Sequence, residues 1–189
     1  MIARIKGVVV DKPAENRLIV DVQGLGYEVF VPTVVFEDAL VDQDVILYTY
    51  DHIRESARDL FGFSDAPSKD LFELLLGVSG VGPRGALAIM SLAESARIRR
   101  EIASGNVAFI SGASGVGKRI AERVTVDLKD KVGVVGGQVL ENLASDDDAL
   151  EALQALGYSS SQASQALGKV APDLDTQARI KAALKELAS

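Results

Sequence analysis

The sequence of 189 residues predicts a multidomain protein of mixed β and α class. Apolar residues recur with a period of two in its first third and at helical spacing in its middle third. A glycine-rich, acidic stretch then separates the middle third from a short tail that fits three small helices. We therefore expect domains at residues 1–63 and 64–131, a flexible linker over 132–146, and a small domain at 147–189.

The first domain is predicted to be a five-stranded barrel of the OB type. Tyr27, Val29 and Val31 recur with a period of two in "GYEVFVP", and other segments share this character. One helical stretch, Thr33–Leu40, falls between the third and fourth strand segments. Five strands with a helix in that position are typical of a small Greek-key barrel. The predicted strands are Met1–Val10, Asn16–Val22, Gly26–Val31, Asp44–Tyr50 and Asp59–Phe63.

The helical middle third contains one short motif twice. Residues 79–87 read "SGVGPRGAL" and residues 114–122 read "SGVGKRIAE", so six of nine positions match at an offset of 35 residues. An internal repeat calls for one explanation that serves both copies.

A nucleotide-binding P-loop is the first explanation to consider, because Gly112, Gly117 and Lys118 stand at the spacing G-x-x-x-x-G-K. The first copy, however, has Pro83 where the lysine that binds phosphate would stand. The second copy has Arg119 where a Ser or Thr would bind Mg²⁺. The sequence therefore disfavours an NTPase.

A tandem helix–hairpin–helix explains both copies. In this motif a small-Gly-apolar-Gly loop precedes the second helix, and its glycines bring the backbone close to a ligand. Backbone N–H groups at the N-terminus of that helix then point at a DNA phosphate. Such a contact reads the DNA backbone, so binding is expected to be independent of sequence and sensitive to salt. Two glycine-closed turns without a ligand are the alternative.

The distribution of charge favours the same third of the chain as the place for a phosphate partner. The net charge is −7, but residues 64–131 carry 10 Lys and Arg against 8 Asp and Glu, whereas both flanking parts are acidic. The chain has no cysteine, which favours a cytoplasmic location. Its apolar runs are too short to cross a membrane, so no membrane partner is expected.

The whole chain resembles the RuvA family of bacterial Holliday junction branch-migration proteins. The stretches that carry the resemblance are "GLGYEVFVP" (24–32), "LFGF" (60–63), "GVGPRGALAIMS" (80–91), "GVGKRIAERVTVDLKDK" (115–131) and "LGY" (156–158). The resemblance implies a DNA-binding specificity subunit that recognises four-way junctions in recombination and in the repair of DNA damage, including the SOS response. It also implies a homotetramer, with one tetramer or two on each junction.

The resemblance assigns DNA-binding roles to the two hairpins and to the barrel. The hairpin residues that match the family's contacts are Gly80, Gly82, Arg84, Gly115, Gly117, Lys118 and Arg123. Arg54 matches a barrel position near the crossover, and Glu55 matches the first acid of a central pin in the loop before the fifth strand. The second pin acid is replaced by Ser56, for which Asp51 and Asp59 are candidates to compensate.

The family further implies two protein partners. The tail would bind the RuvB motor, a hexameric ATPase, and the RuvC resolvase is a further expected partner. Leu156 and Tyr158 are candidate contacts for the motor, with a role in the tail's own core as the alternative.

No catalytic group, metal or cofactor is predicted. The only histidine, His52, has no accompanying serine motif, and the carboxylates are scattered, so ATP hydrolysis is expected in the partner. The alternative function is a general barrel-and-hairpin protein that binds single-stranded or duplex nucleic acid. Single-strand binding depends on stacked aromatic side chains, which make up only 5% of this chain.

Overall fold

The computed structural model describes residues 1–55, 57–135, 138–139, 149–150, 152–153, 155–158, 160–170 and 176–187. The chain divides into two compact units, Met1–Val132 and Gly133–Ser189. Within the linker predicted over 132–146, residues 136–137 and 140–146 lie outside the described residues. Val132, the first residue of that range, is fully buried in the core of the first unit.

The first unit begins with a closed five-stranded barrel, which confirms the OB-type prediction. Its strands follow one another around the barrel in the order β1-β2-β3-β5-β4, and β4 pairs with β1. Neighbours are antiparallel except β3 and β5, which are parallel. The elements are β1 (Arg4–Ala14), β2 (Arg17–Val22), β3 (Leu25–Phe30), α1 (Thr33–Asp38), β4 (Asp44–Arg54) and β5 (Ala57–Phe63).

Alternate residues of the strands fill the barrel, as the period of two predicts. Val9, Leu18, Val20 and Val29 are completely buried in one apolar cluster. At Gly7 the backbone of β2 comes so close that a Cβ would overlap the carbonyl oxygen of Asp21. Only glycine fits there, so the lack of a side chain at Gly7 allows the close approach of β1 and β2.

The β4–β5 hairpin is longer than the sequence pattern predicts. The pattern ends the fourth strand at Tyr50 and begins the fifth at Asp59, but pairing continues to Arg54 opposite Ala57. The predicted loop over 51–58 is therefore wrong in length, and two residues join the strands. The added residues do not alternate between apolar and polar, and ion pairs between the two strands stabilise their pairing instead.

Five helices follow and form the tandem helix–hairpin–helix that the repeat predicts. They are α2 (Ala66–Leu76), α3 (Pro83–Met90), α4 (Ser95–Ala103), α5 (Val107–Ile110) and α6 (Lys118–Leu128). One hairpin is α2 with α3, the other is α5 with α6, and α4 joins them. Phe61 and Phe63 of β5 belong to the same apolar cluster as these helices, and Phe63 contacts Phe72 of α2 at 4.9 Å between ring centroids. The helices therefore pack directly against the barrel.

A buried arginine holds the helical layer together at its edge. Arg99 of α4 is only 2% exposed, and its guanidinium donates to the carbonyl oxygens of Pro67, at 2.8 Å, and Val132, at 3.5 Å. Burial lowers the pKa of this guanidinium, and the nearby charges of Asp70 and Asp65 oppose that shift. This role was not predicted from the sequence, although Arg99 shares a helix face with Ile98 and Ile102.

The second unit contains a small helical domain, as predicted. It includes α7 (Ser160–Leu167), α8 (Thr176–Leu187) and described helical residues at 149–150, 152–153 and 155. Buried alanines and leucines form its core: Ala149, Leu153, Ala163, Ala166, Leu167 and Ala183. Two-residue strands β6 (Val134–Val135) and β7 (Gln138–Val139) pair before it.

Candidate nucleic-acid interface

The two hairpin loops have the same backbone geometry. Gly80 and Gly115 have φ angles of +92° and +76°, the left-handed region that favours glycine. The valine after each glycine points inward, with Val81 7% and Val116 5% exposed. The repeated Gly-Val-Gly thus encodes a turn at the first glycine and a plug at the valine.

Hydrogen bonds repeat from one loop to the other. The backbone N–H of Val81 donates to Val78, and that of Val116 to Ala113, each at 3.0 Å. The carbonyl oxygen of the last loop glycine then accepts the first bond of the following helix in both hairpins, from Ala86 at 2.9 Å and from Ala121 at 3.0 Å. Both helices therefore start at the same point of the motif.

Both of these helices begin at a glycine that leaves the N-terminus open. Gly82 and Gly117 are the N-caps of α3 and α6, and no side chain caps either helix. Their φ angles of −92° and −75° suit any residue, and no described atom lies within 4 Å of where their Cβ would stand. The fold does not require glycine at these two positions, but close approach of a ligand backbone would. Open amides at a helix N-terminus suit an anion.

The second hairpin carries basic side chains beside its open end. Lys118, the first residue of α6, is exposed and has no partner among the residues that the structure describes. One turn further along, the guanidinium Nη1 of Arg123 donates to the carbonyl oxygen of Ser79 in the first loop at 2.8 Å. Arg123 therefore joins the two hairpins while its side chain stays at the surface.

Arg84 lies beside the barrel. Its guanidinium stands 5.3 Å from the centre of the Phe30 ring in β3, and Arg17 of β2 stands at the same distance from that ring. Sequence reasoning identified Arg84 but missed Arg17 and Phe30. Arg17 and Phe30 lie opposite each other in the β2–β3 pair, but no local pattern indicates that Arg84, from a distant segment, joins them.

The remaining predicted barrel residues lie on the β4–β5 hairpin. Arg54, the last residue of β4, forms an ion pair with Asp59. Glu55 is exposed in the turn and has no partner among the described residues, which do not include Ser56. Both candidate compensators for Ser56 are thus held by arginines of the hairpin, since Asp51 pairs with Arg58.

Asp51 anchors the base of this hairpin. Its carboxylate is shielded from solvent and accepts two hydrogen bonds from the Arg58 guanidinium, at 2.8 and 2.7 Å, and one from the backbone N–H of Ile2 at 3.0 Å. The hydrogen bonds from Arg58 lower the pKa of the Asp51 carboxyl from 3.8 to about 2, with Ile2 acting in the same direction and burial against it. In turn, Asp51 raises the pKa of Arg58.

The two candidate motor contacts differ in exposure. Leu156 is 61% exposed, whereas Tyr158 packs partly against the core of the C-terminal domain. Leu156 is thus available to a partner. Tyr158 contributes to the core of its own domain, which was the alternative to a role in binding the motor.

Within the described ranges, no helix is long and apolar enough to cross a membrane. No group of three or more His, Asp or Glu side chains there is arranged to hold a metal ion.

Comparison with known proteins agrees with this architecture part by part. Family models match residues 1–62 as the RuvA N terminal domain, residues 72–130 as a SAM-like helix-hairpin-helix tandem, and residues 146–188 as the RuvA C-terminal domain. Curated relatives match over the full length. Proteins from Caldanaerobacter subterraneus and Desulforamulus reducens are each 40% identical, covering 100% of this chain and 100% and 98% of their own.

A third relative, from Herpetosiphon aurantiacus, is 38% identical over 98% of both chains. All three carry the name Holliday junction branch migration complex subunit RuvA. The matches cover the barrel, the hairpin pair and the C-terminal domain in the order in which the fold presents them. The chain therefore belongs to the RuvA family.

Proposed function

We propose that this protein is a non-catalytic subunit that binds four-way DNA junctions and recruits a motor ATPase for branch migration in recombination and repair. The observation that carries the proposal is the pair of open helix N-termini at Gly82 and Gly117, tied together by Arg123. Two equivalent backbone-amide sites on one rigid layer suit two phosphates of a duplex arm. We place this activity in the cytoplasm, with the chromosome.

The junction itself is recognised by a homotetramer. A four-way junction has four equivalent arms, and a ring of four subunits offers one hairpin pair to each arm. Glu55 then stands at the centre, where an exposed carboxylate repels phosphates and keeps the crossing strands apart. Because the charges of Asp51 and Asp59 are paired with arginines, Glu55 is the acid available for this role among the described hairpin residues.

A competition binding assay tests this proposal. A synthetic four-way junction competes with duplex and single strand of the same sequences at one fixed salt concentration. Preference for the junction, whatever the arm sequence, is the expected result. Equal affinity for all three would instead favour a general nucleic-acid-binding protein, and preference for poly-dT would favour single-strand binding.

The C-terminal domain recruits the motor, the hexameric ATPase RuvB, and the junction complex also serves the resolvase RuvC. The domain has its own apolar core, and Leu156 is exposed on its surface.

Deleting residues 147–189 should leave junction affinity unchanged and abolish ATP-driven branch migration. Leu156→Ala should weaken motor binding, with Leu25→Ala, at an equally exposed leucine of the barrel, as its control. Migration by the truncated protein would show that the motor binds elsewhere.

A further inference from the structure

The barrel and the first hairpin meet at a cleft lined by two arginines. The cleft has a volume of about 300 Å³, and its lining includes Arg17, Phe30 and Arg84 together with Glu15, Asn16 and Leu87. Arg17 and Arg84 both stand 5.3 Å from the centre of the Phe30 ring, so their guanidinium groups lie within twice that distance of each other. One aromatic ring thus contacts two cationic side chains that line the same cleft.

The Phe30 ring has a fixed position. It contacts Phe61 at 5.5 Å between ring centroids, and Phe61 is 2% exposed in the core shared by barrel and helices. The chain just after Phe30 is also held in place, because the backbone N–H of Thr33 donates to Ser91 Oγ at the end of α3 at 3.1 Å. The platform beneath the two arginines is therefore rigid across the seam between barrel and hairpin.

The two arginines differ in their partners. Arg84 has no hydrogen-bond or ion partner among the described residues, and its guanidinium lies against the Phe30 ring. Arg17 Nη1 also pairs with Glu28 Oε1 at 2.8 Å, with the two side chains 40% and 47% exposed. An ion pair this exposed is weak, because water screens it and both side chains lose freedom on pairing. A DNA phosphate can therefore replace Glu28 as the partner of Arg17.

We propose that Arg17 and Arg84, held on the two sides of the barrel–hairpin cleft by Phe30, bind the sugar–phosphate backbone of a duplex arm, and that Arg17 is a DNA contact contributed by the barrel. This inference rests on the proposed function. Each strand of duplex DNA carries one phosphate per ~3.4 Å of helix axis, so two guanidinium groups this close face phosphates of one backbone segment. The hairpin amides and the barrel would then grip the same arm.

The test uses salt dependence, since removing one phosphate-binding cation flattens the plot of log affinity against log salt by about 0.9. Removing Arg17 alone would also expose the charge of Glu28, so Arg17→Ala is compared within the Glu28→Gln background. Junction affinity is measured over a series of NaCl concentrations for Glu28→Gln and for Arg17→Ala/Glu28→Gln. Arg4→Ala/Glu28→Gln is the control, because Arg4 is an exposed barrel arginine over another ring, that of Tyr48, and does not line the cleft.

Glu28→Gln is expected to bind the junction more tightly than the wild type at low salt. The Arg17 variant should bind several-fold more weakly than its parent with a slope flatter by about 0.9, whereas the Arg4 control keeps its parent's slope. Equal slopes for the Arg17 variant and its parent, or equal effects at Arg4 and Arg17, would overturn the inference. Phe30→Leu should bind the junction more weakly than the wild type, whereas Phe30→Tyr, which keeps an aromatic ring, should bind like the wild type.

These outcomes separate the inference from the proposed function. Suppose that the wild type prefers junctions and that Lys118→Ala lowers its affinity, but that Arg17→Ala/Glu28→Gln binds as tightly as Glu28→Gln. The proposed function would then stand, and the DNA contact at Arg17 would be refuted. A wild type with no preference for junctions refutes the function, whatever the slope of the Arg17 variant.

Discussion

Arg123 donates a hydrogen bond from its guanidinium to the carbonyl oxygen of Ser79, 2.8 Å away, and so connects the two copies of a repeated motif. The repeat itself does not supply this bond, because the position equivalent to Arg123 in the first copy is Ala88. The hydrogen bond between the two similar hairpins is thus asymmetric. Arg123 and its neighbour Lys118 should therefore respond differently to substitution.

Lys118→Ala should weaken junction binding across all sequences, flatten the salt slope by about 0.9, and leave the melting temperature unchanged. Arg123→Ala should lower the slope similarly and also cost about 1 kcal/mol of folding stability, because its hydrogen bond to Ser79 disappears. Salt-titrated binding and thermal unfolding measure the two effects. Lys129→Ala is the matched control, since it removes one charge at the opposite end of α6. Equal slopes for Lys118→Ala and Lys129→Ala would remove Lys118 from the interface.

Gly115→Ala should lower folding stability, whereas Gly117→Ala, two residues further on, should lower DNA affinity. Gly115 has a φ of +76°, so alanine should cost roughly 1 kcal/mol of stability. Gly117 has an extended backbone and open space at its Cβ position, so alanine should leave stability unchanged. Its methyl group would nevertheless stand where the DNA backbone approaches, and junction affinity should fall about tenfold. Unfolding curves and binding isotherms of the two variants check this. Full affinity for Gly117→Ala would place the phosphate elsewhere.

Glu55→Lys should slow branch migration more than it changes junction affinity. The exposed turn carboxylate repels phosphates at the crossover, whereas a lysine there would hold them. Migration rates with the motor present, measured beside binding constants, test this expectation. Glu37→Lys makes the same charge reversal on the exposed surface of α1 and should migrate like the wild type. Identical rates for both variants would make Glu55 an ordinary surface acid.

The Asp51–Arg58 pair should make stability depend on pH in an acidic window. The pKa of Asp51 is lowered from 3.8 to about 2 in the folded protein, so its ionised form stabilises the fold above the higher value. That contribution disappears as the pH falls through the lower value. Asp51→Asn should therefore be less stable than the wild type at neutral pH, and the difference should shrink across this window.

Urea unfolding of both proteins at neutral pH and at several acidic pH values measures the difference. Asp44→Asn, which removes an exposed carboxylate from the same strand, should show no such convergence. A constant gap between Asp51→Asn and the wild type at every pH would mean that the charge of Asp51 contributes nothing.

Sequence patterns predicted the elements best where a single physical rule governs them. The repeated Gly-Val-Gly turns could be predicted because a left-handed backbone favours glycine and a buried plug requires an apolar residue. The ends of β4 and β5 could not, because Asp51, Arg54 and Arg58 resemble loop residues until their cross-strand partners are known. Contacts between distant segments, such as those that place Arg17 beside Arg84, leave no local pattern in the sequence.

Barrel closure also limits how copies of this protein can meet. Since β4 pairs with β1 and β3 with β5, no strand of the barrel has a whole side of unpaired N–H and C=O groups. Along the stretches that are paired on both sides, a neighbouring chain therefore finds no template for strand addition, the route by which exposed sheet edges recruit further copies without limit. Self-association through these closed stretches must proceed through side chains, whose shape and charge can stop an assembly at a fixed number of subunits.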